Sequence, residues 1–277
     1  MPELPEVETV RRGLAARMEG RRIAQVEQRR GDLRWPLPPH FDMRVAGRVV
    51  DRIDRRAKYL LFRLDDGQTL IGHLGMSGRM YLAAPGTAPS AGAHDHLRFH
   101  TDEGWVITFH DARRFGMMDL WPTERLDEHR LLKDLGPEPL SNAFNGPALS
   151  EALAGRQTPI KAALLDQKVV AGLGNIYVSE ALFHAGISPK RQAASVAGAR
   201  ALRLAPAIKQ VLERAIAAGG STLRDYVQAS GELGYFQHQF AVYDREGQPC
   251  PDCACRRGIK RLVQSGRSTF YCPKRQT

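Results

Sequence analysis

The sequence predicts an α+β chain with a β-rich first half, a helical second half and a small cysteine-bearing lobe at the end. Three observations carry this. Segments 59–72 and 96–109 each hold a β-rich run, an acidic-glycine turn and a second β-rich run, the pattern of a β-hairpin. Beyond a Pro- and Gly-rich stretch near Gly136 to Pro147, the apolar residues recur at helical spacing instead. All four cysteines fall between Cys250 and Cys272.

The elements follow in order. Val7, Val10, Leu14 and Met18 lie at helical spacing, and Pro5 suits a first turn because its missing N–H costs nothing there. Gly20 ends that helix. From about Arg22 to Leu120 the texture is that of strands, and several hairpins over this length argue for a β-sandwich or barrel. Pro122, Pro137, Pro139, Gly146 and Pro147 mark a domain boundary near Gly136 to Pro147. Ile160 to Gln167 and Ile176 to His184 read as short helices. Leu204, Ile208, Val211, Leu212 and Ile216 form one stripe that stops at Gly219-Gly220, with Pro206 either kinking the helix or marking its start. Residues 222–240, rich in Gly, Gln and Ser, read as a long mobile loop of the kind that carries function.

Composition narrows the partners. At 277 residues the chain has room for about two domains. With 43% hydrophobic and 25% charged residues it reads as globular. A net charge of +10 and a pI near 9.8 favour nucleic acid, since lysine and arginine displace counterions condensed on phosphates. A basic membrane-surface protein is the competing reading. No apolar run approaches the roughly 18 residues a bilayer span needs, and the N-terminus lacks a basic-then-apolar leader. The expectation is a soluble, cytoplasmic protein.

Several residues could carry chemistry. Removal of Met1 would leave Pro2 as a secondary amine, partly unprotonated near neutral pH and nucleophilic without a partner base. Glu3 beside it could move protons. Lys58 stands at the mouth of a strand, and Met76 lies in the glycine-rich turn Gly72-His-Leu-Gly-Met-Ser-Gly. Asp111-Ala-Arg113-Arg114-Phe115-Gly places two cations beside an aromatic on a turn, suited to phosphate contact with base stacking or to an ion pair. Gly172-Leu-Gly174-Asn175 leads into a helix, where backbone N–H groups can meet a phosphate. His94 and His96 alternate on a strand, a spacing used more for hydrogen bonds than for metal. Cysteines this dense in a chain with no others usually hold a metal, and Arg256, Arg257, Lys260, Arg261, Arg267, Lys274 and Arg275 among them point to a polyanion.

Taken in order, Pro2-Glu-Leu-Pro-Glu-Val-Glu-Thr-Val-Arg-Arg-Gly, Arg56-Ala-Lys58-Tyr-Leu, His73-Leu-Gly-Met-Ser-Gly, Arg113-Arg-Phe-Gly, Leu135-Gly-Pro-Glu-Pro-Leu, Asp166-Gln with Gly172-x-Gly-Asn-Ile-Tyr, and Gly266-Arg-Ser-Thr-Phe-Tyr-Cys272 resemble the formamidopyrimidine-DNA glycosylase family over essentially the whole chain. The resemblance implies a β-sandwich catalytic domain (1–135), a helical domain with a helix–two-turn–helix motif (136–240) and a zinc-finger-like hairpin (241–277), with DNA between the lobes. It implies a monomer that excises oxidised purines and then cuts the strand. By the same resemblance Pro2 attacks the sugar C1′, Glu3 manages protons, Lys58 assists near the lesion's phosphate and Arg267 assists the elimination. Met76, Arg113 and Phe115 fill the gap left by the extruded base. His94, Arg156 and Asn175 hold the DNA backbone, and the loop at 222–240 covers the flipped base. A sister glycosylase for oxidised pyrimidines and a non-catalytic DNA-binding protein are the alternatives. One departure stands out. Arg275 occupies the family's fourth cysteine position, and the interval from Cys253 to Cys272 is two residues longer than usual. Cys255 keeps the sixteen-residue spacing to Cys272, so the expected zinc ligands are Cys250, Cys253, Cys255 and Cys272.

Overall fold

The computed structural model describes residues 2–221 and 234–277. The chain divides into two compact units, Met1–Lys133 with Ala218–Tyr235, and Asp134–Ala217 with Phe236–Thr277. Most of the loop expected at 222–240 lies outside the described residues. Its described end holds a single 3-10 turn, Phe236–Gln239.

The first unit opens with helix α1 (Leu4–Met18), with Pro5 in its first turn. The strands are β1 (Arg21–Gln28), β2 (Val49–Arg56), β3 (Tyr59–Leu64), β4 (Gln68–His73), β5 (Arg79–Ala83), β6 (Asp95–Thr101), β7 (Val106–His110) and β8 (Met117–Pro122), with the short helix α2 (Phe41–Val45) between β1 and β2. Their order is β5-β7-β6-β1-β2-β3-β4-β8, with every pairing antiparallel. β1 serves both layers of the sandwich. Arg21 and Arg22 pair with Val50 and Val49 of β2, an irregularity falls between Ile23 and Gln25, and the rest of β1 pairs with β6. Such a bulge bends a strand and lets it change layers. Both expected hairpins form. Phe62 pairs with Leu70 across the turn at Gly67, and Phe99 with Ile107 across the turn at Gly104. Both turn glycines have positive φ, 78° and 84°, which side chains with a Cβ rarely adopt.

Alternation builds the core of this unit. Val7, Val10, Leu14 and Met18, the four α1 residues singled out by spacing, join one buried cluster with Ile53, Leu60, Phe62, Leu97, Phe99, Ile107 and Phe109. Each contributes roughly 1.5–3 kcal/mol by leaving water.

The second unit is helical. It contains α3 (Gly146–Leu153), α4 (Ile160–Leu165), α5 (Asn175–His184) and α6 (Ala199–Ala217), then the hairpin of β9 (Lys260–Gln264) and β10 (Arg267–Tyr271). Sequence reading treats the α3 region as linker because of its prolines. Pro147 instead sits in the first turn, and the Asn145 side chain caps the helix by accepting the Ala148 N–H at 3.0 Å. α6 begins at Ala199, so Pro206 does not mark its start. Pro206 lies on an exposed face above Leu202, itself 53% exposed, where water can take the carbonyl that proline leaves unpaired.

Two buried charges fix the hairpin and the chain leading to it. Glu180 of α5 accepts backbone N–H bonds from Ala241, Val242 and Tyr243 at 2.8, 3.0 and 2.8 Å. Burial pushes its pKa up while these donors oppose the shift. Lys161 of α4 is 1% exposed. Its Nζ donates to the Ser268 carbonyl at 2.8 Å and to Thr269 Oγ1 at 2.7 Å. No helix among the described residues is long and apolar enough to cross a membrane.

Replacing Lys161 with methionine keeps the volume and removes the donor. The variant should lose about 1–3 kcal/mol of stability, because a buried carbonyl and hydroxyl lose their charged partner. Urea titration checks this, and an unchanged midpoint would refute the assigned role.

Candidate active site and nucleic-acid interface

Pro2 and Glu3 are both buried at the head of α1. The Glu3 N–H donates to Glu6 Oε2 at 2.8 Å, which closes the first turn. Glu6 is itself buried, and its other oxygen accepts the Ser221 N–H at 2.8 Å and the Ser221 hydroxyl at 3.1 Å. The chain start is therefore held by a carboxylate with donors on both oxygens. Lys58 is buried in the turn from β2 to β3, following Ala57, whose φ is 53°.

Met76, Arg113 and Phe115 meet on a cleft of about 620 Å³, lined also by Asp32, Arg34 and His73. Met76 is 39% and Phe115 43% exposed, and the Arg113 guanidinium stacks 4.6 Å from the Phe115 ring centre. Their two turns share one anchor, the fully buried Asp111. Its carboxylate accepts the Ser77 hydroxyl at 2.6 Å, the Gly116 N–H at 2.7 Å and the Arg113 N–H at 3.3 Å. Gly75, with φ of 63°, lets the turns touch, for a Cβ there would lie 2.3 Å from the Phe115 carbonyl carbon.

His73 supports the Met76 turn from below. Its Nδ1 accepts the Gly75 N–H at 2.9 Å, and its ring packs 4.9 Å from Tyr59. That bond requires the neutral ring with its proton on Nε2. Burial first, then the Lys58 and Arg34 charges, lower its pKa to about 4. His94 is exposed ahead of β6, and its carbonyl accepts the Asp111 N–H at 3.0 Å. The His96 ring bonds the Asp111 carbonyl at 2.8 Å and so serves the turn.

In the second unit, Arg267 is exposed at the start of β10, after the two-residue turn Ser265-Gly266 in which both φ values are positive. The next residue, Ser268, is gripped twice. Its carbonyl accepts from Lys161 and also from Asn175 Nδ2 at 3.0 Å. Asn175 Oδ1 is a buried acceptor without a partner among the described residues. Arg156 is exposed beyond α3, 3.4 Å from Asp166. Gln167 shapes the loop before α5, donating to the Leu165 and Leu173 carbonyls and accepting the Gly172 N–H.

The four cysteines are free thiols drawn together. Cys250, Cys253 and Cys272 offer sulfurs within 4.8 Å of one another, and Cys255 Sγ lies 3.7 Å from Cys272 Sγ. Cys253 Sγ is 3.5 Å from Cys272 Sγ. Burial pushes the Cys272 thiol up, but N–H groups of Arg275 and Lys274 together with the Cys250 and Cys253 thiols outweigh it and bring the pKa to about 7. Cys253 is pushed up to about 12, chiefly by its hydrogen bond with Cys255. A tetrahedral zinc with bonds of about 2.3 Å separates its thiolates by about 3.8 Å, so this donor set fits that ion. The Arg275 side chain points elsewhere, 3.0 Å from Asp252 and over the Phe183 ring.

Sequence reading misses Lys161, Glu180 and the role of Asp111, because a buried charge looks like a surface charge until its partners are known. It also misses Arg34 and Arg130, which both stack on Trp35. The adjacency of Arg34 and Trp35 is the one signal that could have found them.

His73 makes stability depend on pH. Folding lowers its pKa from 6.5 to about 4, so between these values the unfolded chain binds the proton first and stability falls as pH drops. The loss should reach about 1–3 kcal/mol by pH 4. His73→Asn keeps an acceptor for Gly75 without titrating. Denaturation at several pH values should show wild type losing its advantage over the variant below pH 6.5, and parallel curves would refute the assignment.

Comparison with known proteins agrees with this geometry. A family model for the formamidopyrimidine-DNA glycosylase N-terminal domain matches residues 1–118, and one for the family's H2TH domain matches residues 135–227. The formamidopyrimidine-DNA glycosylase of Rhodospirillum centenum is 60% identical and that of Ruegeria pomeroyi 57%, each covering 100% of both chains. Among solved structures, the MutM (Fpg) protein of Thermus thermophilus superposes with a TM-score of 0.88 at 43% identity, covering 99% of this chain and 98% of that one. A Lactococcus lactis Fpg variant in complex with Fapy-dG-containing DNA gives 0.88 at 37%, covering 99% of each. The buried Pro2–Glu3 pair, the joined turns of Met76 and Phe115 and the cysteine cluster thus sit on a matching fold, and the chain belongs to the formamidopyrimidine-DNA glycosylase family.

Proposed function

We propose that this protein is a bifunctional DNA glycosylase and abasic-site lyase that removes oxidised purines, 8-oxoguanine and formamidopyrimidines, and then cuts the strand. The observation that carries the reading is the buried pair Pro2 and Glu3 at a chain start fixed by Glu6. With Met1 removed, the Pro2 nitrogen attacks C1′ of the lesion nucleotide. The N-glycosidic bond breaks and the base leaves with a proton. The sugar ring opens, and the C1′–N pair becomes an iminium. This cation acidifies the C2′ hydrogen, whose loss expels the 3′ phosphate, and a second elimination expels the 5′ phosphate. Water then releases Pro2. Glu3 shuttles protons at the sugar.

Lys58 neutralises the phosphate beside the lesion, and Arg267 assists elimination from its rigid turn. Met76, Arg113 and Phe115 occupy the space the extruded nucleotide leaves, with Asp111 holding their two turns together. His94, Arg156 and Asn175 bind backbone phosphates. The protein acts on duplex DNA as a monomer, and its lobes correspond to residues 1–135, 136–240 and 241–277. Lactococcus lactis relatives support this reading, one solved with Fapy-dG-containing DNA at 37% identity and one with abasic-site-containing DNA at 35%.

In this reading Cys250, Cys253, Cys255 and Cys272 hold one zinc. The ion stabilises the hairpin that carries Arg267 and takes no part in the reaction. Cys255 supplies the thiolate that Arg275 does not.

Borohydride reduction tests the catalytic claim. A duplex with 8-oxoguanine opposite cytosine should become covalently attached to wild type, and Pro2→Gly should give no adduct. An untrapped wild type would leave only a binding protein, and a strong preference for thymine glycol would transfer the substrate to oxidised pyrimidines. Metal analysis tests the zinc claim. Wild type should carry about one zinc per chain, and Cys255→Ser should lose most of it, whereas a wild-type content below about 0.2 would overturn the site.

A further inference from the structure

Arg34 and Arg130 have no part in the chemistry above. Both nevertheless pack on one ring, with their guanidinium carbons 4.8 and 4.4 Å from the Trp35 ring centre. The two are exposed, and among the described residues neither has a carboxylate within ion-pair distance. The nearby Asp32 is taken by Arg30 at 2.7 Å and Arg114 at 3.7 Å. An exposed cation–π contact is worth only about 0.5–1 kcal/mol, too little to account for holding two like charges on one indole. What such an arrangement lacks is an anion.

The platform is built rigidly and beside the wedge. The Leu33 N–H donates to the Trp35 carbonyl at 2.9 Å, and Leu37 N–H to Gly31 at 2.9 Å, which closes a tight loop. The Arg34 N–H donates to the Gly116 carbonyl at 3.0 Å, tying the loop to the turn that presents Phe115. Arg34 also lines the 620 Å³ cleft with Met76, Arg113, Arg114 and Phe115. Tyr59 marks the far side of the patch. Burial raises its pKa, while the Arg34 and Arg130 charges both pull it down.

We propose that Arg34 and Arg130, oriented by Trp35, form a second phosphodiester-binding platform that grips the duplex next to the extruded nucleotide. The inference rests on the reading that this chain binds DNA and adds a contact to it. Both stacked arginines are exposed, and a planar guanidinium fork pairs with phosphate oxygens two at a time. The phosphates belong either to the lesion strand or to the strand opposite.

The test uses the full chain and a fluorescent duplex carrying a tetrahydrofuran abasic analogue, with affinity measured between about 50 and 200 mM salt. Arg34→Gln with Arg130→Gln should make the slope of log affinity against log salt shallower by about two. At about 100 mM salt the pair should bind on the order of 10- to 100-fold more weakly. Arg34→Lys with Arg130→Lys keeps both charges and should keep the slope. Duplexes with methylphosphonates in one strand or the other identify the source. Neutralising the contacted strand should cost wild type more affinity than it costs the glutamine pair, which loses only its other phosphate contacts. A glutamine pair with the wild-type slope overturns the proposal. Should that pair fail to fold, Arg130→Gln alone decides, with an expected slope loss of about one. Because the analogue has no base to excise, failed borohydride trapping would sink the catalytic reading and leave this contact standing. A wild-type slope near zero would sink both.

Discussion

The first unit's cleft of Met76, Arg113 and Phe115 depends on one buried carboxylate. Asp111 is fully buried at the end of β7, yet every donor around it belongs to a turn that faces solvent: the Ser77 hydroxyl, the Arg113 N–H and the Gly116 N–H. Burying an unpaired carboxylate would cost several kcal/mol, so the turns cannot drift apart without exposing it to that penalty. Met76 and Phe115 can therefore stand exposed on a rigid base. In the role proposed above this matters, because a side chain entering a base stack from a floppy turn would lose much of its contact energy to being ordered. The same anchor extends further, since Gly116 also accepts the Arg34 N–H. The turns of Met76 and Phe115 and the loop that stacks Arg34 on Trp35 are one mechanical piece.

The second unit reaches the same end by different means. Here Lys161 and Asn175 converge on the Ser268 carbonyl, while Glu180 collects three successive N–H groups from the chain that leads into the hairpin. A buried lysine and a buried glutamate in one unit suggest an ion pair, but Glu180 takes backbone N–H groups, and Lys161 a carbonyl and the Thr269 hydroxyl. Replacing such contacts with apolar packing could match their stability. Apolar packing, being non-directional, could not orient the one carbonyl adjacent to Arg267. Position, more than stability, is what these charges supply.

The legible and illegible parts of this chain divide along physical lines. α1 is visible because Val7, Val10, Leu14 and Met18 repeat on one helical face, and the hairpins because an acidic-glycine turn with positive φ closes them. These signals are local. α3 is hidden because Pro147 reads as a breaker, when a first-turn proline with an asparagine cap starts a helix equally well. The positions of Met76, Arg113 and Phe115 are readable as motifs, but their shared cleft is not. It arises from β5 and β7 pairing, which brings residues far apart in sequence to the same end of a sheet. The roles of Asp111, Lys161 and Glu180 are set by partners of this kind, and no spacing rule encodes them.

The cysteine lobe shows how a motif can break in sequence and persist in space. Arg275 stands where a thiol is expected, but its backbone still donates an N–H to Cys272 Sγ at 3.4 Å. That donor helps hold Cys272 near thiolate character, so the turn's electrostatic contribution survives the loss of its sulfur. The guanidinium packs instead against Asp252, the Phe183 ring and the His184 carbonyl. Meanwhile the two additional residues after Cys253 give the chain the slack to turn back, and Cys255 Sγ arrives 3.7 Å from Cys272 Sγ. Neither change makes sense alone. An arginine in the fourth position would leave a three-thiol site open to solvent, and an extra cysteine with all four others in place would be a superfluous reactive thiol. Together they leave Cys250, Cys253 and Cys272 within 4.8 Å of one another and bring a fourth sulfur, that of Cys255, to 3.7 Å from Cys272.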